Sequence, residues 1–326
     1  MVKFIIKRIL MMLLVVLGVT LFVFIISRAS GDPIPMLLGE NYTQADYDAM
    51  YVKMGFDKPY IVQFFKYLKD VFLNFDLGIS YENKVPVAQE ILSRFPISLK
   101  LALIALIGSV PIGVLIGMIC AIKQNSILDY TLNTVSSIFI SVPTFWVAIL
   151  LMLIVSLQLK LLPATGYVDW KSYILPAITL GIHPMAMNAR LTRTSMLEVI
   201  RQDYVRTARS KGCSERMVLF GHALRNAALP IVTQIGTNVT VVVGSSAVVE
   251  GLFGFPGLGS FIISSIGARD YPCVQGAILV FSMFVCVVNL LVDILYGFID
   301  PRIKAKYMSA GASFLNFRRK KAKGVQ

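Results

Sequence analysis

Arg206, Arg209, Lys211, Arg216 and Arg225 crowd into YVRTARSKGCSERMVLFGHALRNAALPIV, the stretch from Tyr204 to Val232 of an otherwise strongly apolar chain. Cations at that density attract anionic lipid head groups. Gly212 interrupts them, and glycine most readily takes the left-handed conformation that closes a helix. The spacing predicts one short helix from about Asp203 to Ser210 and a second from Ser214, with Glu215 in its first turn. Two short helices joined at a glycine make a knob suited to a cleft in a soluble partner. Plain contact with lipid head groups is the alternative, and the residues alone leave both open.

Covalent and metal chemistry have few candidates. The only histidines are His183 and His222, and HExxH, GxSxG and GxxxxGK[ST] are all absent, which argues against an intramembrane hydrolase and against a nucleotide site in this chain. Cys120, Cys213, Cys273 and Cys286 show no CxxC or Cys/His spacing and read as packing residues. His183, Met185 and Met187 invite a metal reading. At about 100° per residue, however, position 185 turns away from the face shared by 183 and 187, and thioether suits copper(I) better than nickel(II). Asn133, Asn188, Asn289 and Asp293 are polar residues inside apolar runs, where an acid is costly; pairing with a loop arginine is the simplest reading of Asp293.

EGLFGFPGLG, from Glu250 to Gly259, holds four glycines and Pro256. Such a run cannot continue a spanning helix, and irregular backbone at membrane depth is tolerated only inside protein or beside a watery cavity. Gly254, Pro256, Gly257 and Gly259 are therefore read as a re-entrant element at the outer mouth of a pathway, with Glu250 at its edge. A tight external turn is the plainer alternative.

These groups are positioned by an apolar scaffold. The 326 residues are 56% hydrophobic and only 15% charged, against about 25% charged in soluble domains. Runs long enough to cross a bilayer, about 20 residues, predict six spans near 9–28, 99–122, 134–157, 173–192, 229–249 and 275–298. The fourth contains Pro176, His183 and Pro184 and should be kinked and buried among other helices. The first is preceded by Lys3, Lys7 and Arg8 and is longer than a signal-peptide core, so it reads as a retained anchor.

Charge then orients the chain. Residues 30–95 hold nine acids against six bases, a net −3, whereas 190–228 hold eight bases against three acids, a net +5. The tail adds Arg302, Lys304, Lys306 and the run from Arg318 to Lys323. The positive-inside bias puts both termini and the 190–228 loop in the cytoplasm and the loop after the first span outside. The formal net charge of +13 is spread between apolar spans and forms no single footprint, so nucleic acid is not an expected partner. In the outer loop, Pro59 followed by Ile61, Phe64, Phe65, Leu68 and Phe72 predicts a helix.

Arg206-Thr207-Ala208, three residues, Gly212 and a downstream Leu-Pro resemble the EAA loop of ABC importer permeases. The usual glutamate and following alanine are Arg206 and Thr207 here, and His222 stands where an isoleucine is usual. The variant is similar to that of di-/oligopeptide and nickel importer subunits. So are Gly31-Asp32-Pro33, Gly55-Phe56-Asp57-Lys58-Pro59, Asp76-Leu77-Gly78, Arg94-Phe95-Pro96, Pro143-Thr144-Phe145-Trp146, Leu162-Pro163-Ala164-Thr165-Gly166 and VVEGLFGFPGLG, in order over nearly the whole chain.

The resemblance implies an all-α polytopic fold of the type I importer permease class. Residues 1–28 would form the N-terminal end and first helix, 29–95 a folded outer region, 96–300 the permease core with a coupling loop at 203–228, and 301–326 a basic cytoplasmic tail. It also implies that Tyr204, Arg206, Thr207, Ala208, Lys211, Gly212 and His222 belong to a coupling helix docking on an ATPase. Implied partners are a homologous second permease as a heterodimer, two ATPase subunits that bind ATP and Mg, and an extracytoplasmic substrate-binding protein, all in a bacterial or archaeal plasma membrane. The chain itself needs no cofactor. Peptide is the expected solute and nickel the alternative. A self-sufficient secondary transporter is disfavoured because no two-fold internal repeat is visible.

Overall fold

The computed structural model describes residues 2–39 and 41–299; the basic tail 301–326 and Glu40 lie outside the described residues. The described chain is helical, with one isolated antiparallel bridge at Ile79 and Pro86. The helices are α1 (Val2–Ala29), α2 (Ile34–Leu38), α3 (Gln44–Lys53), α4 (Tyr60–Leu73), α5 (Val87–Ile122), α6 (Ile127–Ser141) and α7 (Thr144–Leu151). A π-helical stretch, Met152–Gln158, and a 3₁₀ turn, Trp170–Tyr173, lead to α8 (Ile174–Ile200) and α9 (Asp203–Ser210). A second π-helical stretch, Met217–Leu224, runs into α10 (Arg225–Phe253), followed by α11 (Leu258–Gly267) and α12 (Tyr271–Ile299).

α5 and α8 form the central pair, and the sequence explains how closely they meet. GVLIG, Gly113 to Gly117, puts two glycines one turn apart on α5, the small-residue spacing that lets helix backbones touch in a membrane. A β-carbon on Gly117 would lie 2.6 Å from Thr192 Cβ, and one on Gly113 would lie 3.0 Å from Asn188 Cβ. Leu101, Ala102, Ala105, Leu175, Leu180, Val242, Val249, Phe253 and Phe255 pack into one core joining α5 and α8 to α10. α1 packs against α12 at the side of this core, and Arg8 of α1 pairs with Asp293 of α12 at 2.8 Å. Asp293 thus does pair with an arginine, but one on the first helix and not on a loop.

Two of the expected spans differ from a plain apolar helix. Among the described residues, four helices are long and apolar enough to cross a membrane, Ile5–Ala29, Val87–Ile122, Met217–Phe253 and Tyr271–Ile294, and the third expected span is a pair of helices, Ile127–Ser141 and Thr144–Gln158, bent by 104°. The bend falls at Val142-Pro143: proline lacks an N–H, and the residue before it is pushed out of the helical region, as the extended Val142 (φ −79, ψ 130) shows. α8 is not among the four although it has 27 residues. Its polar side chains are shielded by protein, with Thr179, Asn188, Thr192 and Ser195 all buried, so apolarity is not required of it. By length and apolarity the described residues hold four such helices, or five crossings with the bent pair counted once, and α8 occupies the place of the remaining expected span without meeting that criterion.

The 30–95 region is folded, as expected. Pro59 precedes α4, Thr43 and Asp46 form a reciprocal cap at the start of α3, and the Tyr47 hydroxyl donates to Asp32 Oδ2 at 2.6 Å. The Asp32 contact pushes the Tyr47 hydroxyl pKa up to about 12. α5 begins at Val87, well ahead of the expected start of its span.

Candidate functional site

The basic stretch lies at the end of the bundle where α8 stops. After Ile200 the chain turns through Arg201 and Gln202 into α9, which is bound by only two inward residues. Val205 and Ala208 are buried against Val218, with Val199 and Cys213 at the edge. Tyr204, Arg206, Thr207, Lys211 and Gly212 are exposed, while His222 is half-buried. Partial desolvation raises the Tyr204 hydroxyl pKa. Of the expected contact residues, Ala208 packs inward and holds the helix down rather than facing a partner.

Gly212 has φ +79, and nothing lies within 4 Å of where its β-carbon would be. The glycine is required by backbone conformation alone. Around the turn, Gly212 N donates to Arg209 O at 2.9 Å and Cys213 N to Ala208 O at 3.3 Å. Arg209 Nε donates to Glu215 Oε1 at 2.8 Å, clamping the two sides. The expected second short helix does not exist as a separate element. From Glu215 the chain is helical through the π stretch and into α10 without a break, so Leu229-Pro230 lies inside a long helix and ends nothing. The exposed surface is therefore a short helix braced against the root of a spanning helix.

Sequence reading missed the apolar part of this surface. Met217 and Phe220 are exposed, as is Tyr204, so large apolar side chains are accessible in the same stretch of chain as the exposed Arg201, Arg206, Arg209, Lys211 and Arg216. Their position in an apolar run hid them, because such a run predicts burial. It also missed Asp129, buried at the start of α6 and gripped by Arg193 of α8 at 2.6 and 2.7 Å. The cue was local: Ser126 caps the helix that Asp129 enters, its hydroxyl accepting from Asp129 N.

At the opposite end, EGLFGFPGLG makes the link between α10 and α11. Gly254 closes α10 in the left-handed conformation, φ 66 and ψ 33, and Gly166 N donates to Phe253 O at 2.9 Å. Glu250 is fully buried, at the centre of the element and not at its edge. Its Oε2 accepts from Ser260 N at 3.0 Å, and Ser98 Oγ of α5 accepts from Leu258 N at 2.8 Å. A β-carbon on Gly257 would collide with the Glu250 carboxylate and lie 2.6 Å from Ser98 Oγ; one on Gly259 would lie 2.5 Å from Ala247 Cα. Pro256 is exposed. The element is a folded-back backbone wrapped on a buried carboxylate and tied to α5, with the ten-residue apolar α11 following it. Among the described residues, no cluster of three or more His, Cys, Asp or Glu side chains could hold a metal ion.

Residues 113–305 match the family described as binding-protein-dependent transport system inner membrane component, and residues 1–102 match the N-terminal membrane component of such systems. The chain is 36% identical over 339 residues to the dipeptide transport system permease protein DppB of Escherichia coli strain K12, covering 94% of this chain and all of that one. It is 38% identical over 309 residues to a putative peptide transport system permease protein of Brucella abortus, covering 92% and 98%. It is also 38% identical over 308 residues to the glutathione transport system permease protein GsiC of Escherichia coli O6:H1, covering 94% and 100%. Among solved structures, the MetNI methionine ABC transporter in an inward-facing form aligns with a TM-score of 0.57 at 16% identity, covering 65% of this chain and 97% of that one. An amino acid ABC transporter aligns at 0.50 and 19%, covering 64% and 94%. The helical core thus has the type I ABC importer permease fold.

Proposed function

The chain belongs to the family of binding-protein-dependent transport system inner membrane components, and from that premise we propose that it is a permease subunit of an ATP-driven peptide importer. The observation that carries the solute class is 36–38% identity, over 92–94% of this chain, with permeases named for dipeptides, peptides and glutathione. These names favour peptide over the nickel alternative. The chain spans the inner membrane several times, and the positive-inside asymmetry supports cytoplasmic termini.

In this reading an extracytoplasmic binding protein delivers the peptide, and a second, homologous permease completes the pathway as a heterodimer. Two ATPase subunits bind and hydrolyse ATP with Mg, and this chain is no enzyme itself. α9 is the coupling element: Tyr204, Met217 and Phe220 supply apolar anchors and Arg206 and Lys211 the charge that meets an acidic rim. Because α9 is fixed to the root of α10 by Val205, Ala208 and Val218, a push on α9 moves a spanning helix as a lever. The far end of that same helix carries Glu250 and the folded-back element, which supports an outer gate there.

Reconstitution of the complex in proteoliposomes tests the reading. ATP-dependent uptake of a labelled dipeptide, requiring the binding protein, is the expected result. Nickel uptake without peptide uptake would overturn the solute class, and uptake independent of ATP would overturn the importer.

A further inference from the structure

We propose that the turn between α11 and α12, Arg269 to Tyr271, clasps the outer region to the folded-back element, and that Asp270 is the positioning residue through which a docked binding protein moves that element. This rests on the binding-protein-dependent reading above and adds to it the route from the outer region to the gate.

Segments far apart in the sequence meet at this turn. Asp270 is 2% exposed, and both its backbone and its side chain are engaged. Its N–H donates to Ser265 O of α11 at 2.9 Å, and its carbonyl accepts from Val274 N of α12 at 3.0 Å. The carboxylate reaches the other way. Oδ2 accepts from Ser80 Oγ at 2.6 Å, Tyr81 N at 2.9 Å and Glu82 N at 3.3 Å, and Oδ1 from Cys273 N at 3.4 Å. Bonds to a charged acceptor are roughly twice as strong as neutral ones. One buried residue therefore ties two helices to the short hairpin, bridged at Ile79 and Pro86, that leads into α5.

The residues on either side grip the chain leaving α1. The Arg269 guanidinium donates to Asp32 O at 3.3 Å and leaves no room at Gly31, whose β-carbon would lie 2.9 Å from Nη1. The Tyr271 hydroxyl donates to Gly31 O. Its ring lies 5.6 Å from the Arg28 guanidinium, which stacks over Phe56 at 4.0 Å. Arg269 has φ +49, a left-handed conformation that a non-glycine residue keeps only where its surroundings impose it. The hairpin tip, Glu82-Asn83-Lys84, is exposed. The clasp is thus open to a docking protein at its outer end and buried at its base.

α11 carries the connection onward. It has ten residues, about 15 Å at 1.5 Å per residue, and its Leu258, Phe261 and Ile262 are buried with Val87, Ile91 and Cys273 of α5 and α12. At its far end Leu258 N is held by Ser98 Oγ and Ser260 N by the Glu250 carboxylate. One short packed helix therefore separates the Asp270 clasp from the buried carboxylate of the folded-back element.

The ATPase rate of the reconstituted complex, with and without peptide-loaded binding protein, tests the clasp. With saturating binding protein, Asp270→Asn should lower the maximal stimulated rate severalfold while the basal rate and the yield of assembled complex stay at wild type. Ser80→Ala removes one of the four side-chain bonds to Asp270, so it should shift the maximum the same way by less; it also serves if Asp270→Asn fails to assemble. A staple without a coupling role would lower basal and stimulated rates together, or raise only the binding-protein concentration that gives half the stimulation. Either result, or an unchanged maximum, overturns the proposal. A wild-type complex that its binding protein does not stimulate would instead overturn the importer reading itself.

Discussion

Arg193 Nε donates to Asp129 Oδ1 at 2.6 Å and Arg193 Nη2 to Asp129 Oδ2 at 2.7 Å, a two-pronged bond between α8 and α6. Asp129 is 1% exposed, and it also accepts from Asn125 N at 3.1 Å, fixing the turn between α5 and α6. Asp129→Asn keeps the shape but removes the charge, and losing charge-assisted bonds of this kind costs about 2 kcal/mol. The thermal unfolding midpoint of the purified complex should fall by several degrees. The double variant Asp129→Arg/Arg193→Asp should recover part of it, and an unchanged midpoint in Asp129→Asn would mean that the pair is incidental.

Gly212 distinguishes backbone strain from crowding. Its β-carbon position is open, so only φ +79 opposes a side chain. The left-handed region costs a non-glycine residue about 1–2 kcal/mol, least for asparagine and most for β-branched residues. Gly212→Val should cut ATP-dependent uptake severalfold while the protein still inserts, and Gly212→Asn should keep most of it. Equal activity in both variants would remove α9 from the coupling path.

Gly257→Ala tests the opposite kind of constraint. Its added carbon meets the Glu250 carboxylate and Ser98 Oγ, and overpacking of this type costs about 1–3 kcal/mol. Transport should drop more in Gly257→Ala than in Gly251→Ala, where the nearest atom is Ile263 Cδ1 at 4.0 Å. The ratio of the two uptake rates is the measurement, and a ratio near one would dissociate the folded-back element from gating.

Topology is checked by labelling. In a cysteine-free background, Asn41→Cys should react with an impermeant maleimide on intact cells and Ser214→Cys should not until the membrane is opened. Labelling of Ser214→Cys in sealed cells would invert the orientation drawn from the charges.

Much of this architecture is local in origin and so was legible in the residues. Apolar runs longer than a bilayer demand helices because unpaired backbone groups cannot be left in lipid. Gly212 ends α9 because its φ is positive, and Pro59 starts α4. What the residues could not tell is which apolar positions face protein. Hydropathy treats Val205 and Phe220 alike, yet one is buried and the other exposed, because burial depends on where α9 folds relative to α10. GVLIG reads as one more stretch of span until Asn188 and Thr192 of α8 arrive against its glycines. Glu250 reads as the edge of a turn until Ser260 and Ser98, on two other helices, close around it. Local sequence sets helix, turn and charge by short-range sterics and solvation; the pairing of residues far apart in the chain is set by packing, which only the tertiary structure decides.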